Sequence, residues 1–171
     1  MPGTHVHPAS LPDAQLLGQC EMRRLRRSGP GGQHRNKVET AVQLLHRPTG
    51  VSSEANERRS QAENRRVALF RLRMNLAIDV RGASVESHPS PLWKSRCGGQ
   101  GRIAVNADHD DFPTLLAEAM DVVALSGYEP SCAAERLGVT PSQLIKLLKK
   151  EPRAIQKVND HRREHGLHPL H

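Results

Sequence analysis

A chain of 171 residues has room for one modest domain or two small ones, and with 2% aromatic residues it excludes a surface that stacks bases on tyrosines and phenylalanines. The formal charge of +7 belongs to the first half: residues 20–81 hold 14 Lys or Arg against 6 Asp or Glu, whereas residues 82–171 hold 11 of each, so any nucleic-acid contact should run through phosphate and sugar. Cys20, Cys97 and Cys132 are odd in number and lack a C-x-x-C pairing, which argues against a disulfide framework and a zinc site; with no run of membrane-spanning length and no leader-like start, a cytoplasmic protein without membrane contact is expected.

His5 and His7 lie in a Pro/Gly-containing start that reads as a frayed tail, not a metal site. Residues 13–19 suit a short helical turn and residues 20–26 a strand. At Ser28-Gly29-Pro30-Gly31-Gly32-Gln33 three glycines and a proline exclude helix and strand, so a loop is predicted in which Gly31 and Gly32 expose backbone N–H groups. Arg23, Arg24, Arg26, Arg27, Arg35 and Lys37 flank it and frame it for delivery into a polyanion. Residues 41–47 read as a strand with Val42 and Leu44 on one face, and Pro48-Thr49-Gly50 turns it into a second strand at 51–55. A helix is predicted over 59–78, with Val67, Phe70, Met74 and Ala77 placed to cover the sheet and a second stripe, Leu69, Leu72 and Leu76, placed to dock the C-terminal half.

Residues 82–111, rich in Gly, Ser, Pro and Asp, read as a connector with one short strand at 102–106, pinned by Trp93. Within it Gly98-Gly99-Gln100 repeats the triplet without the His-Arg-Asn-Lys run that follows Gln33, and reads as a turn. Asp108-His109-Asp110-Asp111 reads as a solvated approach to a helix; no metal or cofactor is expected. Four helices then follow: 113–126, carrying Leu115, Leu116, Ala119, Val122 and Val123 and ended by Gly127; one opened by Pro130-Ser131 and stopped by Gly138; one from the capping box Thr140-Pro141-Ser142-Gln143 to about 150; and one from Pro152 to near Gly166. The middle pair resembles a helix-turn-helix that buries Ala133, Leu137, Val139, Leu144 and Leu147 with Ala134 at the crossing. It would expose Ser142, Lys146, Lys149 and Lys150 as a possible second contact surface.

From about residue 11 to 81 the chain resembles the catalytic domain of class I peptide-chain release factors, and most closely the short stand-alone members that rescue stalled ribosomes. The resemblance rests on residues 28–33, the Asn36-Lys37 pair, the Pro48-Thr49-Gly50 hairpin, and Arg59-Ser60-Gln61 with Asn64. Arg35 and Arg58 depart from the usual pattern, which has a small apolar residue and an acidic residue there. The resemblance implies codon-independent hydrolysis of peptidyl-tRNA on the large ribosomal subunit, with Gly31, Gly32 and Gln33 catalytic. It also implies that Arg23, Arg24, Arg26, Arg27, Arg35, Lys37, Arg59, Arg65 and Arg66 hold ribosomal RNA. The sequence leaves the oligomeric state open, with a monomer the expectation. No codon-recognition domain is visible.

The expected fold is α+β: a small sheet bearing the Gly-Gly-Gln loop under one long helix, then an all-α helix-turn-helix-like bundle. The segments are a catalytic domain at 1–81, a connector at 82–111 and a bundle at 112–171. Two other readings stand beside it: a non-catalytic ribosome-binding factor using the same basic surface, and a DNA-binding regulator built on the helix-turn-helix.

Overall fold

The computed structural model describes residues 6–25, 40–82 and 89–171. A 3-10 turn at Pro8–Ser10 and a short helix α1 (Asp13–Gly18) lead into a three-stranded antiparallel sheet of β1 (Cys20–Leu25), β2 (Ala41–His46) and β3 (Ser52–Ala55), ordered as in the sequence. The predicted turn between β2 and β3 closes because Gly50 takes φ +73° and donates its N–H to the His46 carbonyl at 2.8 Å. Val42 and Leu44, opposite Ala55 and Ser53, are buried on one face as expected. Over that face lies α2 (Gln61–Asp79), which starts two residues later than periodicity suggests because Ser60 is its cap and accepts the Glu63 N–H.

The two stripes of α2 are distributed differently from the sequence reading. The line of the helix tied to β3 runs through polar and small residues: Ser53 Oγ donates to the Ala68 carbonyl at 2.7 Å, Arg71 to the Glu54 carbonyl at 2.8 Å, and Asn75 to the Ser52 carbonyl at 2.8 Å. Ala68 permits that approach because it lacks a long side chain. Phe70, expected over the sheet, instead lines an open groove on another side of α2 with Leu69, Arg73 and Leu92, and Val67 is only half-buried. Leu69, Leu72 and Leu76 are buried, and α2 does pack against the C-terminal half through α4 (Phe112–Leu125).

The stretch expected as a connector has its own structure. Ser90 caps α3 (Pro91–Arg96), its Oγ accepting the Trp93 N–H at 3.1 Å, and a two-stranded hairpin follows from β4 (Cys97–Gly98) and β5 (Arg102–Ile103). Ser90-Pro91 is the same cap-and-proline signature as Thr140-Pro141, so this helix was open to detection. The second Gly-Gly-Gln is the hairpin turn, as read. Its left-handed residues are Gln100 (φ +63°) and Gly101 (φ +67°), whereas Gly98 is extended. Trp93 is fully buried and donates Nε1–H to the Leu137 carbonyl at 2.9 Å.

Three further helices, α5 (Pro130–Leu137), α6 (Pro141–Lys149) and α7 (Pro152–Glu164), complete the fold. Gly138 (φ +66°) makes the turn between α5 and α6, Thr140 Oγ1 accepts the Gln143 N–H, and Ala133, Ala134, Leu137, Val139, Leu144 and Leu147 are all buried as the helix-turn-helix pattern requires. The apolar core runs unbroken from Leu16, Val42 and Leu72 through Trp93 to Leu115, Leu144 and Val158.

Two buried carboxylates one turn apart on α4 hold the chain on either side of 83–88. Asp121 accepts from the Gly82 N–H at 3.0 Å and from Arg81 at 3.2 Å, and Glu118 accepts from the Ser90 N–H at 2.7 Å and Ser90 Oγ at 2.6 Å. A Cβ at Gly82 would stand 2.6 Å from Asp121 Oδ2, so a side chain there would push the carboxylate from its place.

The N-terminal reading needs correction at His7; His5 lies outside the described residues. His7 is anchored: Nε2–H donates to the Val80 carbonyl at 3.1 Å and Nδ1 accepts the Ala9 N–H at 3.1 Å, while Arg73 donates to the carbonyls of Ala9 and Leu11. The sequence could not announce a tether that depends on a residue 73 positions away. His7 is half-buried; His46 is fully buried, between the Thr49 hydroxyl at 2.7 Å and Gln19 Oε1 at 2.8 Å. Burial pushes both imidazoles below their ordinary 6.5.

Each histidine therefore protonates more readily in the unfolded chain. Their contribution to stability is complete above the unfolded value of 6.5 and is lost as pH falls from there through the lowered folded values. Thermal unfolding should show a lower midpoint at about pH 5.5 than at about pH 7.5, and His46→Gln should narrow the gap. A gap unchanged by His46→Gln would remove that histidine from the account.

Candidate nucleic-acid interface

The sheet delivers the glycine-rich segment from a single point. β1 and β2 are antiparallel and Leu25 pairs with Ala41, so the chain leaves the sheet at Leu25 and re-enters it beside the point of departure. The catalytic candidates Gly31, Gly32 and Gln33, with Arg26, Arg27, Arg35 and Lys37, lie outside the described residues.

At the re-entry point sits a residue the sequence reading gave no role. Asn64, fully buried in the first turn of α2, donates Nδ2–H to the Thr40 carbonyl at 2.7 Å and to the Arg58 carbonyl at 3.0 Å, and its Oδ1 accepts the Arg58 N–H at 2.9 Å. One side chain thus fastens three things: the end of the glycine-rich segment, the loop that presents Arg58 and Arg59, and the helix carrying Arg65. Each side-chain polar atom is satisfied, which offsets the cost of burying it. The sequence signal was the Asn64 beside Arg59-Ser60-Gln61; the fold supplies the reason for it.

The expected RNA-binding arginines divide among several surfaces. Arg23, Arg24, Arg59, Arg65 and Arg66 are all exposed. Directly opposed residues of an antiparallel pair share a face, so Arg24 opposite Val42 lies on the helix side of the sheet and Arg23 opposite Gln43 on the other. Arg23 pairs with Glu21 on its own strand at 2.7 Å. The interior of β1, residues 21–24, is exposed throughout because α2 packs on β2 and β3 and not on this edge, leaving Met22 and Arg24 bare on the helix side. Arg66 is set apart from Arg59: it lines the groove with Asp13, Arg73, Asp110 and Asp111. Of the acidic run before α4, Asp111 is bonded to Arg96 and its N–H donates to His109 Nδ1 at 3.0 Å, while Asp108, His109 and Asp110 are exposed. Among the described residues no three His, Cys, Asp or Glu side chains are grouped to hold a metal ion, and no helix is long and apolar enough to cross a membrane.

On the second contact surface, Ser142, Lys146 and Lys149 are exposed on α6. Lys150 is exposed as well, but its Nζ is bonded to the Val105 carbonyl, so it is partly committed to holding the segment that follows β5.

Comparison with known proteins places a boundary around this half of the molecule. Residues 17–101 match the family model described as the RF-1 domain. Over 80 residues, 45% of the chain, the sequence is 51% identical to the chloroplastic peptide chain release factor PrfB1 of Arabidopsis thaliana. Over 85 residues, 46% of the chain, it is 48% identical to peptide chain release factor 1 of Acidiphilium cryptum. Over 51 residues, 30% of the chain, it is 49% identical to the mitochondrial peptide chain release factor 1-like protein of Rattus norvegicus. The chain spans only 18%, 24% and 14% of the length of those three relatives, respectively.

Proposed function

Because residues 17–101 belong to the RF-1 domain family, that of the catalytic domain of class I release factors, we propose that the protein hydrolyses the ester of peptidyl-tRNA on the large ribosomal subunit. The observation that carries this reading is the family match itself, which encloses the Gly31-Gly32-Gln33 segment and its flanking basic residues. In the proposed reaction, water attacks the carbonyl carbon joining the nascent peptide to the terminal adenosine of its tRNA. The tetrahedral species collapses by breaking the ester bond; the peptide leaves as a carboxylate, and the ribose oxygen recovers a proton. Charge develops on the carbonyl oxygen in between. The backbone N–H of Gln33 stabilises that oxyanion without depending on a protonation state, and the Gln33 side chain shapes the space for water. Arg23, Arg24, Arg26, Arg27, Arg35, Lys37, Arg59, Arg65 and Arg66 contribute phosphate contacts, and Asn64 positions the segment and the Arg58-Arg59 loop against the sheet.

The proposed activity is codon-independent and serves the rescue of stalled complexes. What supports this is the likeness of residues 28–33, Asn36-Lys37 and Arg59-Ser60-Gln61 to the short stand-alone rescue members, beside which stands a helix-turn-helix-bearing bundle over 112–164. Release from ribosomes holding a stop codon, a sense codon or truncated mRNA is expected at equal rates, and separated large subunits carrying peptidyl-tRNA would show whether the small subunit is needed. A strong preference for the stop codon would overturn codon independence. Tight ribosome binding with no release from any complex would favour the non-catalytic binding factor.

A further inference from the structure

The C-terminal half has no net charge, yet its charges are not evenly spread. Residues 89–106 and 140–150 carry Lys94, Arg96, Arg102, Lys146, Lys149 and Lys150 and no Asp or Glu at all. The fold brings these two stretches side by side. The Gly101 carbonyl, in the hairpin turn, accepts the Thr140 N–H at 3.1 Å at the start of α6, and the Val105 carbonyl accepts from Lys150 at its end. The segment from Gly101 to Val105 is therefore tied to both ends of the helix. Packing at the first junction is close: a Cβ on Gly101 would stand 3.1 Å from the Thr140 nitrogen.

Along β5 and the residues just after it, Arg102 and Ala104 are exposed while Ile103 and Val105 are buried, so the alternation turns the arginine outward. On α6, Lys146 and Lys150 are one turn apart and share a side; since Lys150 reaches this segment, Lys146 lies on the edge next to it. Lys149 and, on α3, Lys94 are exposed nearby in the chain. Arg96 is paired with Asp111 and Lys150 is held by a carbonyl. Lys94, Arg102, Lys146 and Lys149 have no ion-pair partner among the described residues. Arg102 and Lys146, with no carboxylate in either stretch, lie along the junction of the two, and Lys94 and Lys149 are exposed on the flanking α3 and α6; the complement of such a surface is a polyanion.

We infer that the β4–β5 hairpin and α6 form a second RNA-contacting face, one that grips the phosphate backbone without reading sequence. The hairpin decides against base reading. A recognition helix presents its N-terminal residues to base edges in a groove, but here that end of α6 is bonded to the hairpin turn. The chain also has only four Trp, Tyr or Phe residues, of which Trp93 and Phe112 are fully buried and not open to stacking on bases. The inference rests on the proposed ribosomal function for the identity of the RNA, though not for the contact chemistry.

The test uses the full chain with a short fluorescein-labelled RNA duplex and, separately, with ribosomes, in salt titrations. Each phosphate contact contributes about 0.7 to 0.9 to the slope of log affinity against log salt, so Lys94→Ala with Arg102→Ala should flatten the duplex slope by about 1.5. Lys146→Ala with Lys149→Ala should do the same. The control pair Lys157→Ala with Arg163→Ala, on α7, should leave the slope unchanged. Equal flattening by the control would reduce the effect to net charge and overturn the inference. Unchanged duplex binding by both test pairs would overturn it too, and if ribosome affinity nevertheless fell, the face would meet a ribosomal protein instead. Single-turnover release at saturating protein separates this from the hydrolase reading: wild type that binds duplex as expected but releases no peptide would sink the hydrolase and leave the RNA face standing.

Discussion

Gln33→Pro is expected to slow single-turnover peptide release by about a hundred- to a thousand-fold relative to Gln33→Ala, the loss of one oxyanion donor being worth roughly 3–4 kcal/mol. Alanine retains the backbone N–H on which the proposed mechanism depends and removes only the side chain, so Gln33→Ala should keep measurable hydrolysis with poorer selection of water. Proline deletes the N–H and fixes φ. Gly32→Ala should also be severe, since an added Cβ restricts the backbone and hinders approach to RNA. Release must be read at saturating protein with ribosome binding measured separately, so that a docking defect is not taken for a chemical one. If Gln33→Pro released peptide as fast as Gln33→Ala while binding equally, the backbone-donor mechanism would be abandoned for this protein.

Much of this architecture was legible because local chemistry decides it. Gly50, Gly127 and Gly138 end their elements with positive φ, and Thr140-Pro141 starts α6 where the capping rule puts it. What escaped were features whose partners are distant in sequence. Phe70 has the right period for the sheet face of α2, but the close approach of Ser53 to Ala68 puts a polar, small-residue line there instead. His7 reads as tail until Val80 and Ala9 are brought to it. α3 and its hairpin are short, and composition alone hides them among Gly and Pro; yet Trp93 and Glu118 make that stretch part of the core. At the interface, the basic residues could be named from sequence but not sorted, because the register that puts Arg23 and Arg24 on opposite faces comes from pairing with β2. Likewise, a net charge of zero concealed the segregation of cations onto the hairpin and α6.

The largest effect on folding is expected at Trp93, where the RF-1 segment meets the bundle. Its side chain has no exposed surface, and its indole N–H satisfies the Leu137 carbonyl at the end of α5. Trp93→Ala removes the whole indole from a packed core and should cost about 3–5 kcal/mol. Trp93→Phe keeps an aromatic ring but leaves the Leu137 carbonyl without its donor, which should cost about 1–3 kcal/mol. The pair matters because Trp93→Ala could fail to fold, whereas Trp93→Phe should remain folded and measurable. Trp93 is also the only tryptophan in the chain. In wild-type protein its fluorescence therefore reports the junction, while far-ultraviolet circular dichroism reports the helices of both halves. Composition divides the chain near 81 and 111, but the core passes through Trp93 from Leu72 to Leu144 without a break. Fluorescence and dichroism should then give coincident denaturant transitions in wild type, and Trp93→Phe should shift the whole dichroism curve to lower denaturant without splitting it. Separated wild-type transitions, or loss of only part of the helical signal in Trp93→Phe, would show two independently stable halves joined by a connector.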